Sequence, residues 1–86
     1  DRRGETLTRR TLENVMRKLA ESVQRSLRSG DVFSRYSAAQ YVVLLPQANY
    51  ENSKMVMERI IRSYKLDHSH SPAKLDYSIQ EIDRDN

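Results

Sequence analysis

Residues Arg35 to Pro46 read Arg-Tyr-Ser-Ala-Ala-Gln-Tyr-Val-Val-Leu-Leu-Pro, the outline of a strand, a tight turn and a very apolar second strand. Two strands separated by so few residues predict an antiparallel hairpin, because a parallel pair needs a crossover of a dozen residues or more. Val32 to Tyr36 forms the first strand, and Ser37-Ala38-Ala39-Gln40 is the turn. With no glycine there, a longer or type I loop is expected. Tyr41 to Leu45 is apolar throughout, which suits a strand covered on both faces. Pro46 closes it by removing a ladder donor.

Helices are expected on both sides of this hairpin. From about Thr8 to Ser29, Leu12, Val15, Met16, Leu19, Val23 and Leu27 recur at three- and four-residue intervals and make one apolar stripe. Thr6 or Thr8 can cap its start, and Gly30 is a natural stop. A second helix should run from about Tyr50 to Lys65, with Asn49 as cap and Glu51 near the positive end of the dipole. Val56, Met57, Ile60, Ile61 and Tyr64 form its buried stripe. Asp67 to Lys74 reads as an exposed loop. Leu75, Tyr77 and Ile79 alternate with Asp76 and Ser78 as in a half-buried strand, and Ile82 falls out of phase. The order helix, strand, strand, helix, strand predicts an α+β fold, with two helices on one face of a small antiparallel sheet.

At 86 residues the chain suffices for one small domain with a thin core. A mean hydropathy of −0.83 with 31% charged residues is polar for a self-sufficient globule, so a partner or further sequence is expected to add stability. The lack of cysteine excludes disulfides and thiolate metal sites. No segment approaches the roughly 20 apolar residues of a membrane span, the N-terminus is charged from its first residue, and a cytoplasmic setting without membrane contact is expected. The net charge of +3 is uneven: residues 1–30 carry eight Lys/Arg against four Asp/Glu, and residues 31–86 seven against eight. A solvated basic helix face is the simpler reading, and direct DNA contact is not expected.

Arg35 to Pro46 also resembles the GGDEF signature of diguanylate cyclases, Arg-Tyr-Gly-Gly-Asp/Glu-Glu-Phe followed by an apolar run and Pro. The five signature positions are Ser37, Ala38, Ala39, Gln40 and Tyr41, so both glycines and both acids are replaced while the apolar frame is kept. Leu12–Arg28 is similar to the helix before the signature, Asn49–Ser63 to the helix after it, and Tyr77-Ser78-Ile79 to a late Val-Ser-Ile strand. The resemblance implies a ferredoxin-like, GGDEF-like domain over residues 1–86 that starts after the family's first strand, with flexible ends at 1–7 and 83–86. In the family that strand lies centrally, between those matching Tyr41–Leu45 and Leu75–Ile82. Its absence predicts bare strand edges, self-association into a dimer or a rearranged sheet. The substitutions are also similar to degenerate GGDEF-like modules attached to bacterial transcriptional activators.

For function, the resemblance divides. The family's hairpin acids help hold Mg²⁺ beside GTP, and Ala39 and Gln40 supply neither charge nor carboxylate. The expectation is a non-enzyme with no catalytic residue, cofactor or metal, acting in regulation through contacts with other domains of its parent chain or a second copy. Arg28-Ser29-Gly30-Asp31 matches the family's Arg-x-x-Asp product-binding motif. By that resemblance Arg28 and Asp31 are candidate ligands for cyclic di-GMP, since Arg contacts phosphate or guanine O6/N7 and Asp accepts from guanine N–H groups. The plainer alternative for these four residues is a helix-to-strand turn. His68 and His70 lack the further ligands a metal site needs, and Tyr36 and Tyr41 are read as hairpin packing.

Overall fold

The computed structural model describes residues 8–82. The expected flexible ends at 1–7 and 83–86 lie outside the described residues, as does Thr6. Helix α1 spans Arg9–Ser26, strand β1 Val32–Ser37, strand β2 Gln40–Leu44 and helix α2 Tyr50–Asp67. Both helices start where a side-chain acceptor stands ready. Thr8 accepts the backbone N–H of Thr11 at 3.1 Å, and Asn49 accepts that of Asn52 at 2.8 Å. Neither helix is long and apolar enough to cross a membrane.

The apolar stripes meet where expected. Val15, Met16 and Val23 from α1 and Ile60 and Tyr64 from α2 form the buried centre. Tyr64 is 1% exposed, and its hydroxyl shares a 2.7 Å hydrogen bond with Ser71, so the ring is buried without stranding its polar end. Ser22 is also fully buried, and its hydroxyl has no hydrogen-bond partner. Polar clasps run along the rim: Arg25 pairs with Asp67, and Arg59 donates to the carbonyl of Ser26. The Arg25–Asp67 side chains are about half exposed, and such a pair contributes about 0–1 kcal/mol. Apolar burial therefore dominates the seam.

The hairpin is antiparallel, with Val32 opposite Leu44, Phe33 opposite Val43, Ser34 opposite Val42 and Arg35 opposite Tyr41. The pairing then slips so that Ser37 faces Gln40, which leaves Tyr36 as a bulge. The slip has a cause. Two-residue hairpin turns of the favoured kind need positive φ, and among the described residues only Gly30 has it. Ala38 and Ala39 turn with negative φ, and the bulge supplies the twist that such a turn lacks. Phe33 and Tyr41 meet edge to face, with centroids 5.4 Å apart, on the half-buried side.

The last expected strand differs. Ala73, Leu75, Tyr77 and Ile79 are half-buried, and Lys74, Asp76, Ser78 and Gln80 are exposed. The alternation is therefore present, but the segment joins no ladder, and the described sheet has two strands in the order β1-β2. A strand exists only through its neighbour's backbone, and no described residue offers that partner. Side chains hold the segment instead: Tyr77 Oη donates to Glu58 Oε2 of α2 at 3.2 Å.

Partial desolvation, then this hydrogen bond and the charge of Glu58, push the Tyr77 phenol above its ordinary value. Its folded value lies above its unfolded one. The bond therefore contributes stability that is fully present below about pH 10 and is lost as pH rises through the raised value. Titration of the Tyr77 ring by NMR should show the upward displacement, and Glu58→Gln should reduce it.

Candidate functional site

The passage from α1 to β1 is a built corner. α1 ends at Ser26, earlier than the expected Ser29, and Leu27 leaves the helix with an extended backbone (φ −89°, ψ 154°). Arg28 to Asp31 then forms a β-turn, with the backbone N–H of Asp31 donating to the carbonyl of Arg28 at 3.0 Å. Gly30 takes φ 96° at the third position, the geometry of a type II turn. Gly30 thus serves this turn and is not the helix stop. Asp31 closes the corner a second time, its Oδ2 accepting the backbone N–H of Arg28 at 2.9 Å.

Arg28 and Asp31, three apart in sequence, are thereby held as the first and last residues of one turn. They line an open, shallow surface depression together with Gln24, Leu27, Ser29, Val32 and Phe33. Among the described residues the Arg28 guanidinium has no hydrogen-bond or ion-pair partner, which leaves its planar fork open for a phosphate or a guanine edge. Sequence reading singled out Arg28 and Asp31 but missed the rest of the lining. The signal was there in Leu27, Val32 and Phe33, apolar residues bracketing the turn at a point where α1 had no more core to cover.

The five signature positions stand elsewhere, on the hairpin. Ser37 Oγ donates to Gln40 Oε1 at 2.8 Å, so the two polar side chains of the turn satisfy each other. Ala38 and Ala39 add only backbone groups. Tyr41 points inward and donates to the carbonyl of Met16 at 3.1 Å. His68 tilts against Tyr64 with ring centroids 4.8 Å apart, while His70 is exposed. Among the described residues no three His, Cys, Asp or Glu converge on a metal-sized site.

A family model for the diguanylate cyclase GGDEF domain matches residues 5–80. The chain belongs to the GGDEF-domain family, and it is a diguanylate cyclase-like signalling module. No curated protein and no solved structure matches the chain. Membership corrects the expectation of a non-enzyme: the family is one of cyclases, and replacement of the hairpin acids does not place the chain outside it. The Mg²⁺ that such chemistry implies does not fit the donors at the turn itself. A hydroxyl and a carboxamide already bonded to each other offer no charged oxygen.

Gly30→Ala tests the corner. The added Cβ meets nothing within 4 Å, so the cost is the positive φ alone. About 1–3 kcal/mol of stability should be lost in urea unfolding, and Gly30→Asn should lose less, since Asn tolerates the left-handed region.

Proposed function

We propose that this GGDEF-family module reads cyclic di-GMP at the Arg28–Asp31 corner and relays the signal by contact with other protein. The observation that supports the reading is the corner itself. One turn, closed twice by Asp31, presents a guanidinium with no partner among the described residues and a carboxylate beside an open depression of mixed polar and apolar lining. Arg28 engages a phosphate or the O6/N7 edge of guanine through paired hydrogen bonds. Asp31 accepts from guanine N–H groups through Oδ1 while Oδ2 holds the turn. Leu27 and Phe33, both half-buried, offer the base an apolar edge to pack on.

Calorimetry on the full chain should show heat on titration with cyclic di-GMP. Arg28→Ala should weaken binding about tenfold or more, since a charge-assisted hydrogen bond contributes about 1.5–3 kcal/mol and 1.4 kcal/mol is one decade. Absence of heat at high micromolar ligand would reject this reading.

Contact with a second copy is supported by the outward face of the hairpin. Val32 lies directly opposite Leu44, Val42 is next along β2, and Val32 is 53% and Leu44 45% exposed. Ser34, Tyr36 and Gln40 complete that face, which carries no charge in a chain where 31% of residues are charged. Such a face meets its own copy without like-charge repulsion. Light scattering of a concentrated solution should give twice the 10.1 kDa chain mass, and Val42→Lys should return it to a single copy. A 10.1 kDa species at high concentration would refute the dimer.

A further inference from the structure

Arg35 sits on the half-buried side of the hairpin and is bonded more heavily than a surface strand residue needs to be. Its Nε donates to the carbonyl of Ser37 at 2.7 Å, and Nη2 donates to the carbonyl of Ala38 at 2.8 Å and to Glu13 Oε2 of α1 at 3.1 Å. The guanidinium lies over the ring of its cross-strand partner Tyr41, 5.7 Å from the centroid. Tyr41 in turn bonds the carbonyl of Met16, one helical turn along α1 from Glu13.

We infer that Arg35 is the positioning residue of the signature turn: its two-pronged grip on the Ser37 and Ala38 carbonyls sets the turn's shape, and Glu13 ties that shape to α1. The argument rests on what the turn lacks. Ser37, Ala38, Ala39 and Gln40 include no Gly, Asn or Asp, the residues that supply the favoured hairpin turns, and none has positive φ. Of the turn's own side chains only Ser37 and Gln40 form bonds, and the one to the Ala39 N–H is long at 3.4 Å. A planar guanidinium can bridge two successive carbonyls, whereas an ammonium on a flexible stem bonds them as a point charge. The ion pair with Glu13 is solvent-exposed, with side chains 37% and 57% accessible, and adds little stability. Its effect is directional: with the Tyr41–Met16 bond it fixes the turn's orientation toward α1. This inference is independent of whether cyclic di-GMP binds at Arg28.

Amide hydrogen exchange followed by NMR on the full chain tests the assignment. In Arg35→Ala, exchange at Ala39 and Gln40 should accelerate about tenfold or more, while Val15, Val23 and Ile60 stay within about twofold. Arg35→Lys should not rescue the turn, because charge alone does not supply the fork. Glu13→Gln should shift the amide resonances of Ala38 to Gln40, although it lies on another element. Should Arg35→Ala fail to fold, Arg35→Lys and Glu13→Gln decide the matter. Unchanged turn exchange in an Arg35 variant that folds, or a Glu13→Gln spectrum silent at residues 38–40, would overturn the inference.

Discussion

The bond from the Arg28 backbone N–H to the Asp31 carboxylate fixes how the helical half of the molecule meets the sheet half. With Gly30 in its positive-φ turn, it reverses the chain within four residues and launches β1 in a set direction. The register of β1 against β2 then decides which hairpin side chains face the helices. Phe33, Arg35, Tyr41 and Val43 face in, and Val32, Ser34, Val42 and Leu44 face out. A one-residue error at the corner would exchange those two sets. The same bond holds Arg28 and Asp31 side by side, so the candidate site and the start of the sheet are consequences of one constraint.

Two polar regions of the molecule hold their side chains in opposite ways. At the corner, Asp31 is partly committed and the Arg28 guanidinium has no partner among the described residues. At the signature turn, Arg35, Ser37 and Gln40 are all engaged with nearby protein atoms. One guanidinium stands beside a mixed polar and apolar surface, whereas the other is wrapped around its own backbone and holds a shape. Both regions lie within the residues matched by the GGDEF-domain model.

Much of this was legible in the residues. Three- and four-residue spacing carried both helices, Asn49 marked the start of the second, the first was open between Thr6 and Thr8, and the two closely spaced apolar segments gave the hairpin. The details that escaped are those set by neighbours rather than by local pattern. The bulge at Tyr36 comes from matching a negative-φ turn to the strand twist, which a single strand cannot announce. Leu75 to Ile79 has a strand's alternation, but pairing depends on a second backbone. Arg35 looked like an ordinary strand residue because its partners, two carbonyls and Glu13, lie in other segments. Of the two alternatives for Arg28 to Asp31, the helix-to-strand turn is what the structure shows, closed by the Asp31 N–H and carboxylate.

The most direct test of the central claim is amide-shift mapping of the isotope-labelled chain as cyclic di-GMP is added. The account predicts concentration-dependent shifts gathered on residues 24–33, with Arg28, Gly30 and Asp31 moving most. Shifts confined to Ser37–Tyr41, with the corner unmoved, would contradict it, as would a spectrum that does not respond at all.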